Sequence, residues 1–178
     1  MAEPVTFRTA THDDVDAVVA LVERAYRGEA SRAGWTTEAD LLDGQRTDTV
    51  ALAATIATPG SRIILAEAHD GLVGSVLLKD EGGTAYLGMF AVHPSLQGTG
   101  IGRQLLEEAE RLAWAELGAT ATRMTVIAQR PELIAWYERR GYRLTGEREP
   151  FPYGDERFGR PRRDDLYFVA MKKALSAR

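Results

Sequence analysis

The sequence predicts a mixed α and β fold, with one mixed sheet carrying helices on its faces. Short β-branched runs alternate with amphipathic stretches along the whole chain. An Asp70-Gly71 pair sits between two apolar runs, which marks an antiparallel hairpin. A strand, a glycine-rich segment, a helix and a second strand then follow one another over 84–127, the order of a parallel crossover. Antiparallel and parallel connections in one chain imply a single mixed sheet.

Residues 5–11, VTFRTAT, read as the first strand, and Thr11-His12-Asp13-Asp14 resembles a capping box. Val15, Val18, Val19 and Val22 recur at helical spacing after it. Thr37-Glu38-Ala39-Asp40 predicts a second helix start. Asp48 caps a third helix that runs through Val50, Leu52 and Ile56 until Pro59-Gly60 stops it. Residues 62–68 and 72–79 form the hairpin strands around a turn that needs positive φ angles, which Asp and Gly tolerate. Residues 84–92 give a further strand, followed by the glycine segment and a helix to about Leu117 that Gly118 closes. A strand follows at 122–127. Pro131 opens a helix with Leu133, Ile134, Trp136 and Tyr137, ended by Gly141. The segment YRLTGE at 142–147 follows, then a long loop rich in Pro, Gly and Arg, and then a last strand at 165–172.

No low-complexity linker or repeat divides the 178 residues, so one domain over 1–178 is expected. With 44% hydrophobic and 27% charged residues, the composition suits a globular protein. No apolar run approaches the roughly 18 residues of a membrane span, and MAEPVTFRTA lacks the basic-then-apolar pattern of a signal peptide, so a cytoplasmic location without membrane attachment is expected. The absence of cysteine excludes disulfides, thiol nucleophiles and thiolate metal sites, and three scattered histidines argue against a metal centre. A net charge of −4 argues against nucleic acid as the main partner. Arg157, Arg160, Arg162 and Arg163 form the one basic cluster, interrupted by acidic residues. It reads as a solvated loop, with contact to an anionic acceptor or a homodimer partner as the alternative.

The segment HPSLQGTGIGRQLL, at 93–106, carries the most information about function. Glycines at 98, 100 and 102 let the chain turn tightly and bring N–H groups close to a ligand. Those groups begin a helix whose buried stripe is Ile101, Leu105, Ala109 and Leu112, so they lack intrahelical partners. Unpaired donors at the positive end of a helix make an anion site, and a phosphate or pyrophosphate is its natural guest. A P-loop needs Lys-Ser or Lys-Thr after its last glycine, and here Arg103-Gln104 follow. A dinucleotide fingerprint needs G-x-G-x-x-G, and Arg103 stands where its third glycine belongs.

Gln97, Gly100 and Gly102 fill every fixed position of a third pattern, Q/R-x-x-G-x-G/A. Preceded by a strand and the Val92-His93-Pro94 turn, the segment resembles the acyl-CoA-binding loop of the GNAT superfamily of N-acetyltransferases. Tyr137-Glu138-Arg139-Arg140-Gly141-Tyr142 is similar to the family's Y-x-x-x-G-F/Y segment, and the element order from Val5 to Met171 resembles the whole domain. The resemblance implies a central, twisted, mostly antiparallel mixed sheet with a parallel splayed pair and helices on both faces. It also implies acetyl-CoA as co-substrate and no metal, with direct attack by a primary amine of a small molecule on the thioester in a ternary complex.

By the same resemblance, Gln97 and the backbone of Gly98, Thr99, Gly100, Ile101, Gly102 and Arg103 hold the pyrophosphate. Phe90, Ala91 and Val92 run beside the pantetheine arm, and an N–H near Phe90 faces the thioester carbonyl. Tyr137 is the candidate general acid for the departing thiolate, the alternative being a core aromatic beside Trp136. The family often has a carboxylate on the strand before the glycine loop, and YLGMFAV has none. Glu38 is the candidate base, with a first-turn glutamate complementing a helix dipole, or a water chain as base, as the alternatives. His93 reads as a structural turn residue. Where the family often has Asn, about seven residues before the tyrosine, this chain has Arg130. The acceptor channel of such domains is bordered by the regions that here hold Arg32, Trp35, Arg46 and Tyr153. The aromatics serve as walls and either arginine as a carboxylate ligand, unless they are a packed loop tryptophan and solvated arginines. A catalytically silent acyl-CoA-binding domain and a protein or peptide N-acetyltransferase are the competing functions.

Overall fold

A computed structural model describes residues 4–157 and 159–177. Thirteen α-helices and β-strands follow one another among these residues: β1 (Thr6–Thr9), α1 (Val15–Tyr26), β2 (Leu42–Asp43), α2 (Thr49–Ala57), β3 (Ser61–Ala68), β4 (Gly71–Asp80), β5 (Thr84–Val92), α3 (Ile101–Leu117), β6 (Ala121–Ile127), α4 (Pro131–Glu138), β7 (Arg143–Pro150), β8 (Arg160–Pro161) and β9 (Tyr167–Ala174). Seven strands form one sheet in the order β1-β3-β4-β5-β6-β9-β7, and β2 pairs with β8 in a separate two-stranded ribbon. All neighbours in the large sheet are antiparallel except β5 and β6. The expected mixed sheet with a parallel crossover is therefore observed, and no helix among the described residues is long and apolar enough to cross a membrane.

The run IILA in β3 explains how helices come to cover both faces. Ile63 and Leu65 pack with Val18, Leu21, Val22 and Ala25 of α1, whereas Ile64 and Ala66 pack with Leu105, Ala109 and Leu112 of α3. Successive side chains point to opposite faces, so a central strand covered twice must be apolar throughout. The predicted stripe of α3 is buried in full, and Gly118 closes that helix at φ +63.

Local signals at helix ends also hold. Asp48 accepts a hydrogen bond from the Ala51 amide at 2.8 Å and caps α2. Asp48→Ala is expected to lower stability by about 1 kcal/mol, read by urea unfolding. The Thr11–Asp14 box forms, with the Thr11 amide 2.8 Å from Asp14 Oδ2, but on a short 3-10 turn that precedes α1. In the β3–β4 hairpin His69 and Asp70 keep negative φ and only Gly71 is positive, at +110. A bulge beside the turn accommodates this arrangement.

One predicted helix is absent. Thr37–Asp40 form a single turn, in which the amides of Leu41 and Leu42 both donate to Glu38 O at 2.9 Å, before β2 begins. The side chains of this segment take it out of helical register. Thr37 Oγ1 bonds Ser31 Oγ and the Ala39 amide, and Glu38 is drawn into the interior by arginines. Ser, Thr, Asp and Asn side chains stabilise such turns as readily as helix starts.

Candidate active site

After β5 the chain makes a 3-10 turn at Pro94–Leu96 and enters α3 through Gly98 and Gly100, at φ +84 and +96. Glycine adopts this left-handed backbone freely, and other L-residues resist it. Gly100 is the N-cap and brings no side chain to the helix end. The amides of Gly98, Gly100, Ile101, Gly102 and Arg103 have no protein acceptor among the described residues, while that of Thr99 donates to Leu96 O at 3.4 Å. Five open donors at the positive end of a 17-residue helix suit an anion.

These amides open onto a cleft of about 580 Å³. Arg103, Arg139 and Arg140 stand around its mouth. The Arg140 guanidinium lies 3.5 Å over the Trp136 ring, and burial, with Arg139 and Arg103 nearby, lowers its pKa from the ordinary arginine value. Crowded cations of this kind gain from an anionic guest. The donors and charges fit the pyrophosphate of a nucleotide cofactor, and Phe90, Val92 and Trp136 line an apolar path leading inward from them.

The inner end of the path lies where β5 and β6 part. They pair only from Thr84 opposite Ala121 to Tyr86 opposite Arg123, although the strands continue to Val92 and Ile127. On its other side β5 carries a bulge. The register steps from Ser75–Ala91 to Leu77–Gly88, so Met89 and Phe90 together face Val76, and Met89 takes φ +44. A bulge leaves one residue out of the strand ladder and its backbone groups open to other partners. The Tyr26 hydroxyl donates to Phe90 O and holds this segment in place. Tyr137 is buried, lines the cleft and meets Trp136 and Phe90 edge-on at 5.1 and 6.4 Å. Burial, and next the neighbouring Tyr26, push its pKa well above the ordinary phenol value, so the hydroxyl keeps its proton.

Gln97 also lines the cleft, yet its side chain is fully committed to protein. Its carbonyl oxygen accepts from the Trp35 and Thr36 amides at 2.8 and 3.2 Å, and its amide nitrogen donates to Thr36 Oγ1 and Val92 O at 2.8 and 3.1 Å. It fastens the 34–37 loop to the glycine loop, and Gly34 is required there because a Cβ would stand 2.4 Å from Gln97 Oε1. Gln97→Ala is expected to lower stability by about 1–3 kcal/mol through loss of that brace, as measured by urea unfolding.

A second cavity, of about 220 Å³, is lined by Arg27, Glu38, Arg46, Ile127, Phe151 and Phe168, among others. The same two segments border both cavities: Tyr26 and Arg27, adjacent at the end of α1, line one each, as do Thr36 and Glu38 in the following loop. Glu38 is the hub of the second cavity. Its carboxylate lies 2.5 Å from Arg27 Nη1, 3.5 Å from Arg130 Nη1 and 3.9 Å from Arg46 Nε. Burial pushes its pKa up, but Arg46, Arg130 and Arg27 outweigh that and hold it below the ordinary carboxylate value. A carboxylate so held is a weak proton acceptor, which favours an ion-pair role over that of a base.

Of the four suggested acceptor residues, only Arg46 lines the second cavity. Trp35 lines the first, 6.3 Å from Trp136. Arg32 pairs with Glu29 and Asp40 at the surface. Tyr153 bonds Arg163 O and the Leu166 amide, packs on Phe151 and lines neither cavity itself. His93 accepts from the Ser95 amide, as expected of a turn residue. Sequence reasoning missed Tyr26, Arg27 and Thr36, and it noted Arg130 without placing it: Arg130 donates to Thr36 O at 2.6 Å and so ties the loop to the end of β6. Tyr26 carried no signal beyond its place at the end of an amphipathic helix.

An anion loop at a helix start, a bulged strand and a splayed parallel pair meet around one cleft. Residues 59–144 match the Acetyltransferase (GNAT) domain family. The fold is shared with a putative phosphinothricin N-acetyltransferase (20% identity, covering 98% of this chain and 100% of that one, TM-score 0.68). It is shared also with nourseothricin acetyltransferase (22% identity, 98% and 99%, TM-score 0.66). A third example is mutant spermidine/spermine N-acetyltransferase SpeG from Vibrio cholerae (16% identity, 96% and 95%, TM-score 0.65). At these identities the likeness is one of fold, and no curated protein matches the sequence. The segment 59–144 is thus similar to the GNAT acetyltransferase domain, and the chain as a whole shares the fold of these three acetyltransferases.

Proposed function

We propose that the protein transfers an acetyl group from acetyl-CoA to the primary amine of a small molecule by direct attack in a ternary complex. The observation that carries this reading is the row of open amides at Gly98 and Gly100–Arg103, from which a single cleft leads to the β5 bulge and Tyr137. Acetyl-CoA supplies an acetyl group activated as a thioester. The glycine-loop amides with Arg103, Arg139 and Arg140 bind its phosphates, and β5 from Phe90 to Val92 lies along the pantetheine arm. A backbone N–H freed by the bulge near Phe90 donates to the carbonyl oxygen as negative charge develops there. Tyr137 donates its proton to the departing sulfur. With Glu38 held by arginines, the incoming ammonium loses its proton to water.

The small volume of the second cavity supports a small acceptor over a protein segment. Calorimetry with acetyl-CoA, followed by a thiol-release assay against amines, amino acids and peptides, tests the reading. Saturable binding with turnover of free amines is the expected result. Binding without product from any acceptor would identify a silent acyl-CoA-binding domain, and turnover of peptides alone a protein acetyltransferase. Absence of binding would refute the acyltransferase reading altogether.

A further inference from the structure

We propose that the acceptor is an amine bearing a carboxylate or similar anion, of the amino-acid class, held in the second cavity with its anion on Arg46 and its amine toward Tyr26. This rests on the acyltransferase reading and adds the chemical class of its second substrate.

The charge balance of the cavity carries the inference. Among the described residues three guanidinium groups, Arg27, Arg46 and Arg130, surround the single carboxylate of Glu38. The share is unequal: Arg27 is nearest, and Arg130 has Thr36 O as well. Arg46 is left with Glu38 at 3.9 Å and the Tyr26 ring at 5.8 Å, and its side chain is 33% exposed, on the cavity wall. The other acid of the wall, Asp155, is gripped by its neighbour Arg157 at 2.9 and 2.7 Å, so its charge is already matched. The cavity therefore presents a positive fork to its contents, and a planar guanidinium is suited to carboxylate recognition in a partly buried site.

The remaining walls define the rest of the guest. Leu42, Ile127, Phe151 and Phe168 offer an apolar surface, with the two phenylalanines stacked at 5.7 Å, for an aliphatic or aromatic side chain. At about 220 Å³ the space suits a single amino acid. Tyr26 ties the end of α1 to Phe90 O, so an amine beside it lies next to the bulge where the thioester carbonyl is expected. A polyamine would bring a second cation against Arg46 and Arg27, and like charges in a partly desolvated site reject it.

The test uses the full chain saturated with acetyl-CoA, with leucine and phenylalanine each compared with its amide and its decarboxylated amine, and with spermidine. Rates are expressed per free amine. The acid is expected to exceed its neutral counterparts in kcat/KM by about 10- to 100-fold. Arg46→Gln is expected to narrow that ratio to within about fivefold, mainly through KM for the acid, and Arg46→Lys to keep part of it. Spermidine or the decarboxylated amines matching the acids while acetyl-CoA is turned over would overturn the inference and leave the acyltransferase reading intact. So would the failure of either amino acid to raise the melting temperature of protein that binds acetyl-CoA. Absence of acetyl-CoA binding would remove both.

Discussion

Glu38→Gln is expected to destabilise the protein by about 3–5 kcal/mol, a large share of the roughly 5–15 kcal/mol that holds a domain folded. The substitution keeps shape and most hydrogen-bonding capacity but removes the charge that offsets Arg27 and Arg130, both nearly inaccessible to water. Removing one partner from a buried pair costs more than the pair itself contributes, because the other ion stays desolvated and uncompensated. Denaturant unfolding at neutral pH checks the magnitude, and a loss below about 1 kcal/mol would mean that solvent already screens these arginines. A cycle with Arg27→Met should recover part of the loss, since the second change removes one of the buried charges that Glu38 offsets. The pH dependence has a fixed sign. The folded pKa of Glu38 lies below its ordinary value of 4.5, so its contribution is complete above that value. It disappears as pH falls through the folded pKa, where wild type and variant converge.

The features legible in the sequence are those set by neighbours along the chain. The Asp48 cap, the hairpin at Asp70-Gly71, the α3 stripe and the tight glycine turn before α3 each depend on residues within a turn or two, and each is found in the structure. What escaped was built from distant contacts. Arg27, Arg46 and Arg130 converge on Glu38 from the end of α1, from a loop and from the start of α4, and no local pattern distinguishes such arginines from solvated ones. Gln97 matches a loop motif, yet its side chain serves residues more than sixty positions earlier. The bulge in β5 places positive φ on Met89, next to a glycine that would have been the natural host, so the strand reads as regular. At Thr37–Asp40 local chemistry misled, because the side chains that open helices also close turns, and the interior claimed Glu38.

Tyr137→Phe is expected to lower kcat by on the order of 10²-fold or less, while acetyl-CoA affinity and stability stay near wild type. The ring carries the packing: its contacts with Trp136, Phe90 and Tyr142 at 5.1, 6.4 and 5.7 Å survive the loss of one oxygen. The oxygen lost has no hydrogen-bond partner among the described residues and belongs to a cleft-lining side chain, so its removal leaves no protein group unsatisfied. The effect is bounded because the thiolate of CoA is a tolerable leaving group, and positioning alone retains much of the rate. Burial and the nearby Tyr26 raise the phenol above the ordinary value of 10.0, so it stays protonated through the range in which amines become nucleophilic. The wild-type rate should therefore climb with pH as the acceptor loses its proton and show no fall from Tyr137 near that value. Steady-state kinetics of the two proteins from neutral to alkaline pH, with calorimetry for acetyl-CoA, test this. An unchanged kcat in the phenylalanine variant would reduce Tyr137 to a packing residue, and a loss confined to KM would assign it to binding.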